Sequence, residues 1–306
     1  MSISESSSAQ KAPASKNPIL VGIALITVGM LALSVMDALV KWLVGETYSP
    51  VQLLAVRSWI SVPVFLLLMH RSAGIGALRT KRLPAQLARG LVGMATAGCF
   101  FYSLTALPLA DAVAISFAST FLMTALSALW LKEHVGMHRW GSVIVGFIGV
   151  LVITRPGTDA FRVEAIFTLL SALGYALFIL SGRLLSRTET TSSLVFYHNL
   201  TIMLACSLPL YWLWQPMPLT IIWAMLAFAA LALLGHFAVT HAFKLAPVGA
   251  IAPFEYSALL WSILLGFVIW GDAPDLVTMI GMAIIACSGL YILHRESRLR
   301  KRVENQ

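Results

Sequence analysis

The stretch ILVGIALITVGMLALSVMDALVKWLV, residues 19–44, decides the fold. A helix needs about 20 apolar residues to cross the hydrocarbon core of a bilayer, and this run exceeds that length. It is also too long for the apolar core of a signal peptide. It reads as a first membrane-spanning helix, interrupted by two charges, Asp37 and Lys41. Residues four apart share one helix face, so these two can pair.

Runs of the same kind follow near 50–69, 84–106, 109–131 and 138–154. A second set lies near 163–184, 192–213, 219–243, 248–270 and 275–293. Most connections are very short, so consecutive helices must be antiparallel neighbours. The composition of the 306 residues agrees, with 59% hydrophobic and 11% charged, against roughly half and a quarter in soluble domains. A soluble fold would leave that apolar excess facing water, whereas lipid solvates it. The 13 prolines and 21 glycines fit as well, because neighbouring helices satisfy the backbone groups they leave free.

The net charge of +8 raises the question of nucleic acid. The basic residues, however, sit in short loops and tails between apolar runs, which is a membrane-surface pattern and excludes a continuous nucleic-acid groove. With the N-terminus in the cytoplasm, fifteen lysines and arginines fall on the inner side: Lys11, Lys16, Arg71, Arg79, Lys81, Arg82, Lys132, Arg139, Arg187, Lys244, Arg295, Arg298, Arg300, Lys301 and Arg302. The outer loops hold Arg155 and Arg162. This asymmetry places both termini in the cytoplasm and requires an even number of spans. Residues 1–18, polar and rich in Ser and Ala, read as a disordered cytoplasmic tail. Residues 295–306 read as a basic cytoplasmic tail.

The chain also repeats itself. Residues 106–110 read Ala-Leu-Pro-Leu-Ala and residues 242–246 read Ala-Phe-Lys-Leu-Ala. Each leads into an apolar run that ends at an acid, Glu133 or Asp272. Each acid precedes two glycines eight residues apart, Gly141 with Gly149 and Gly281 with Gly289. Lys41 with Arg57 matches Arg183 with Asn199, both sixteen residues apart. The expected fold is therefore an all-α integral membrane protein of ten transmembrane helices, built as two five-helix repeats over 19–156 and 162–294. Five is odd, so the second repeat enters the membrane with inverted topology. Inverted repeats are a building plan of secondary transporters, with the substrate near the midplane between them.

Ionisable groups inside a bilayer are costly and mark function or packing. Those within spans are Asp37, Lys41, Arg57, Arg89, Asp111, Arg183, His198, His236, His241 and Glu255. Asp37, Lys41 and Arg57 are expected to form an outer polar cluster, either a gate or an ion pair that locks the first two helices. Glu255 lies in Ala252-Pro253-Phe254-Glu255-Tyr256, where the proline removes a backbone donor and disturbs the helix. A carboxylate beside freed carbonyls suits a substrate-binding or proton-coupling acid. The competing reading pairs Glu255 permanently with Arg183 or a histidine. Arg183, His198, Asn199 and His241 are expected toward the inner side, with His236 nearer the middle. A histidine there can partner a proton or serve as an interhelical donor. Asp111 reads as an acid at a helix start, and Arg89 as a residue that snorkels to headgroups.

Tyr102, Tyr175, Tyr197, Tyr256 and Trp261 lie within spans and can stack on a planar substrate, while Trp42, Trp140, Trp212, Trp214, Trp223 and Trp270 suit the interfacial belt. Cys99, Cys206 and Cys287 have no metal-ligand spacing and read as packing residues. HExxH, P-loop, GxSxG and GxGxxG motifs are absent, so neither an enzyme nor an ATP-driven motor is expected, and no cofactor.

These features resemble the EamA-type transporters of the drug/metabolite transporter superfamily, over roughly residues 20–293. The resemblance rests on the two repeats, on Phe-Tyr-Ser-Leu-Thr-Ala-Leu-Pro-Leu-Ala-Asp-Ala (101–112), and on Leu-Lys-Glu (131–133) with its counterpart Trp-Gly-Asp (270–272). It rests also on the Gly-x-x-Gly-Val-Leu-Val-Ile stretch (146–153) before Arg155-Pro156-Gly157. Asp37 with Lys41, Arg57 and the Pro253-to-Tyr256 segment look like a branch of riboflavin and S-adenosylmethionine carriers. The resemblance implies a central cavity between the repeats, alternating access and a bacterial cytoplasmic membrane. The partners expected are a small-molecule substrate, the lipid bilayer and protons. The solute expected is a small polar or amphipathic metabolite such as a vitamin or cofactor, with an exporter of amino acids or toxic organic cations as the alternative. A non-transporting scaffold or lipid-modifying enzyme is the reading from another class.

Overall fold

The computed structural model describes residues 18–304 except 47, 72, 73, 131, 133, 134 and 247. Residues 1–17 of the expected tail, with Lys11 and Lys16, lie outside the described residues, as do Leu131 and Glu133 of the Leu-Lys-Glu motif.

The first half runs α1 (Pro18–Gly45), α2 (Pro50–Arg71), α3 (Leu83–Ser103), α4 (Leu109–Ser116), α5 (Ala118–Trp130) and α6 (Met137–Thr154). The second half runs α7 (Glu164–Leu185), α8 (Thr191–Ser207), α9 (Leu210–Leu213), α10 (Leu219–Leu245), α11 (Val248–Ile251), α12 (Ser257–Trp270) and α13 (Leu276–Glu304). Short 3-10 turns cover Ile75–Leu78 and Ala252–Tyr256. No strand occurs among the described residues. α13 continues as helix to Glu304, so the basic end extends the last helix.

Among the described residues, eight stretches are long and apolar enough to cross a bilayer, counting Leu109–Trp130 as one. α3 and α8 stand outside that set. α3 is diluted by Gln86, Arg89 and its glycines, and α8 has 17 residues. The protein is thus an all-helical, multi-pass membrane protein in which eight of the ten expected spans stand on length and composition.

Two breaks follow from local chemistry. Pro253 has no amide hydrogen, and there α11 gives way to the 3-10 turn before α12 resumes at Ser257. Between α4 and α5 the amide of Phe117 bonds the carbonyl of Ala114 at 3.2 Å, a tightened turn.

The helices pair in a pattern that repeats when the halves are exchanged. α1 packs on α10 as α7 packs on α3, α1 on α12 as α7 on α5, and α2 on α10 as α8 on α3. The pairs α2–α8, α4–α12 and α6–α13 each join one half to the other. The largest buried cluster runs through both halves, from Leu43 and Leu53 to Phe228 and Ile285. Large apolar side chains such as Leu129, Leu219, Leu260, Val268 and Leu276 are exposed. A belt of that kind is unstable in water and is at home against lipid tails.

Candidate functional site

Six polar side chains from six segments stand out in the apolar bundle. They are Asp37 (α1), Arg57 (α2), Tyr175 (α7), His198 (α8), His236 (α10) and Glu255 (the second 3-10 turn). Asp37, Arg57, His198 and Glu255 are half-buried, and Tyr175 and His236 are exposed. The charge of Arg57 acts on Asp37, His198 and His236. The charge of Glu255 acts on Tyr175 and Tyr256.

Packing aims these groups. The guanidinium of Arg57 lies 5.3 Å from the ring centroid of Phe228, a cation–π arrangement. Phe228 is fully buried and meets Phe101 edge-on at 5.9 Å. His198 lies against Phe178 at 4.7 Å. The ring of Tyr256 stacks on Phe117 at 4.9 Å, tying the 3-10 turn to the α4–α5 break.

One turn beyond Asp37, at the end of the bundle where α1 finishes, the charges are paired. The Lys41 ammonium donates to Asp272 at 2.9 Å and sits 4.8 Å from the Trp270 ring centroid. Arg155 donates to both oxygens of Asp275. Asp275 in turn accepts from the Thr278 amide at 2.9 Å, capping the start of α13. Arg155 and the two Thr278 contacts hold the Asp275 carboxyl well below its ordinary value, and Asp275 raises the guanidinium of Arg155. Asp111, in the first turn of α4, lies within reach of all four charges. Both ion pairs join the first half of the chain to the second.

At the opposite end the closure is hydrogen-bonded and aromatic. Glu189, before α8, accepts from the Lys81 amide at 3.1 Å and from Gln86 at 3.5 Å, and Gln86 also reaches Ser193 at 3.3 Å. These donors, Thr80 first among them, lower the Glu189 carboxyl. They cover its surface although it sits at the rim of the bundle. Arg89 lies flat on Phe178 at 3.7 Å and donates to the Leu194 carbonyl at 3.3 Å.

Several expectations need correction. Lys41 pairs with Asp272, so the expected triad divides: the charge of Arg57 acts on Asp37, and Lys41 belongs to the end of the bundle. The helical face shared by Asp37 and Lys41 permits pairing, but a closer carboxylate arrives from the α12–α13 connection. Arg183 is exposed in the last turn of α7. His241 is exposed and stacks on Phe237 one turn back, at 5.7 Å. Asn199 donates into its own helix, to Val195 at 2.9 Å. Tyr102 is half-exposed against Phe167 at 4.6 Å. Arg89 stays inside, over Phe178, because an aromatic face and a free carbonyl are nearer than the headgroups.

Asp275, Glu189 and Gln86 went unrecognised as functional residues in the sequence. For Asp275 a signal exists, since Asp275-x-x-Thr278 ahead of an apolar run is a helix-start pattern. For Glu189 and Gln86 there is none, because they are about a hundred residues apart and meet through the fold. Among the described residues no group of three His, Cys, Asp or Glu side chains is placed to hold a metal ion.

Residues 20–155 match the profile of the EamA-like transporter family. The chain is similar to the pseudopaline exporter of Pseudomonas aeruginosa, 31% identical over 274 residues, covering 88% of this chain and 95% of that protein. It is similar to the S-adenosylmethionine uptake transporter of Rickettsia felis, 27% identical, covering 92% of this chain and 96% of that one. The riboflavin transporter of Vibrio cholerae is 26% identical over 92% of this chain and 95% of its own length. A solved crystal structure superposes with a TM-score of 0.60 at 19% identity, over 91% of this chain and 98% of its own. These relatives are transporters and not enzymes.

Proposed function

We propose, from the premise that this chain belongs to the EamA-like transporter family, that it is a secondary exporter of a small amphoteric solute. The solute class is an amino-acid-like compound or an organic cation that also carries an acidic group. The observation that carries this reading is a carboxylate and a guanidinium, Asp37 and Arg57, half-buried on neighbouring helices within electrostatic reach of each other. A solute with an ammonium and a carboxylate satisfies both where water alone would leave them poorly solvated. Arg57 takes the acidic group in its donor fork, Asp37 the cationic one, and Tyr175 and Tyr256 flank Glu255 as apolar walls with polar tips.

Export is supported by the relative at 31% identity, which is an exporter. Uptake of a vitamin or cofactor such as riboflavin or S-adenosylmethionine is the second reading, supported by the relatives at 26–27%. In either direction the chain works as ten spans in two inverted five-helix repeats, a reading supported by the exchange pattern of helix pairs. The distribution of basic residues turns the Lys41 end outward and the Glu189 end inward, in a bacterial inner membrane. The outer ion pairs then close the cavity from outside, and alternating access breaks them. Glu255 couples the cycle to protons.

Counterflow in proteoliposomes tests this reading, with neutral, basic and aromatic amino acids, riboflavin and S-adenosylmethionine run with and without a pH gradient. Saturable exchange of an amphoteric compound, abolished by Arg57→Ala, is the expected result. Exchange of riboflavin alone would replace it with the vitamin reading.

A further inference from the structure

The exchange of halves fails at the seam between α5 and α6. α5 runs along α6, but among the described residues their counterparts α12 and α13 do not pack along each other. α13 instead touches α11 and the second 3-10 turn. In the first half the seam is plugged by Phe121 of α5, which is fully buried and occupies the space that a side chain at Gly146 of α6 would need. The offset of 140 residues that relates Gly141 to Gly281 and Gly149 to Gly289 relates Gly146 to Ala286. Ala286 lines an open groove of about 400 Å³ between α12 and α13, with Pro253, Phe254, Tyr256, Leu260 and Met282. The second seam therefore has a hollow where the first has a ring.

We propose that an acyl chain of a bilayer phospholipid fills this groove and does for α12 and α13 what Phe121 does for α5 and α6. The groove is continuous with the lipid-facing belt: Leu260 is 69% exposed on its rim, and Leu264 and Phe267 are exposed beside it. No charged side chain lines it. Its two hydroxyls are those of Ser257 and of Tyr256, and the Tyr256 oxygen is pressed against Gly289 of α13. An amphoteric solute would lose its hydration there without gaining partners, whereas hydrocarbon loses nothing. Tyr256 is the shared wall, lining the groove while its ring stacks on Phe117 inside the bundle. A chain in the groove thus backs the turn that carries Glu255.

This inference rests on the membrane-spanning reading and not on transport, and its test needs no flux. Protein purified in mild detergent is examined by native mass spectrometry for retained phospholipid. The same protein is placed in nanodiscs with phospholipid bearing a diazirine on its acyl chain, photolysed, and mapped by peptide. Wild-type protein retains phospholipid and is labelled at Leu260, Met282 or Ala286. Ala286→Phe, which supplies its own ring, loses retention and groove labelling to background. Val268→Phe, on the exposed face outside the groove, keeps both. Elution profile and helicity report folding, and Ala283→Leu replaces Ala286→Phe if the larger side chain prevents it. Undiminished retention and groove labelling in the filled variant would overturn the proposal. So would displacement of the groove label by a transported solute, which would make the groove part of the solute path.

Discussion

Asp37 and Lys41 lie one turn apart on α1, and the molecule treats them in opposite ways. Lys41 and its neighbours at the end of the bundle are matched: Lys41 with Asp272, Arg155 with Asp275, and Asp275 again with the start of α13. Asp37 is half-buried beside Arg57, whose charge acts on it, and both keep part of their surface open. Paired charges hold helices together, whereas charges left partly free inside a bilayer are expensive unless something else comes to meet them. The difference separates what closes the protein from what binds its solute.

The largest expected effect breaks the cavity side. Arg57→Ala strands Asp37 and removes the donor for the solute's acid. Losing one partner of a buried charge pair costs about 2–5 kcal/mol, or roughly thirtyfold to a few thousandfold in affinity. Solute binding by the purified protein measures it, and a variant that binds as wild type would assign Arg57 to packing. Glu255→Gln comes next. It is expected to weaken solute exchange by about tenfold or more, from the 1.5–3 kcal/mol of a charge-assisted contact, and to remove the response to a pH gradient. Unchanged flux with an unchanged gradient response would end the role given to Glu255.

At the end of the bundle the effects shrink. Lys41→Met and Asp272→Asn, alone and together, are expected to form a thermal-stability cycle with a coupling of about 0.2–1 kcal/mol, the range for ion pairs that solvent reaches. Both single variants should make cysteines introduced in the cavity more reactive from outside. A large stability loss with unchanged reactivity would make the pair a structural lock and not a gate. The smallest effect is pH-linked. The Asp275 carboxyl is depressed in the folded protein, so its contribution is present above the ordinary aspartate value of 3.8 and disappears as pH falls through the folded one. Because the group is half-exposed, that contribution stays below about 1 kcal/mol. Asp275→Asn should lower the melting temperature slightly at neutral pH and leave it unchanged in strong acid. A uniform shift across the pH range would assign the effect to the lost cap alone.

The contrast between Asp37 and Lys41 also marks how far the chain could be read without its fold. Span lengths and break points were legible, because bilayer thickness and the missing amide of Pro253 act on neighbouring residues. The break at Pro253 falls where the 3-10 turn begins. The candidates for a polar group inside the bundle were legible: Asp37, Arg57, Tyr175, His198, His236 and Glu255 are few and conspicuous in an apolar chain. Arg183, Asn199 and His241 are equally conspicuous and face elsewhere. Polarity within a span says that a residue needs a reason; it does not give the direction in which the side chain points.

The sequence by itself determined the all-helical membrane fold, since hydropathy is a property of neighbours along the chain. The tertiary structure alone decided that Lys41 reaches Asp272, that Glu189 meets Gln86, and that one seam is filled by Phe121 while its counterpart stands open. Such contacts join residues about a hundred or more positions apart, except where Phe121 fills its own half. They depend on helix rotation and crossing, which single-chain periodicity leaves free and only the packing of both halves fixes.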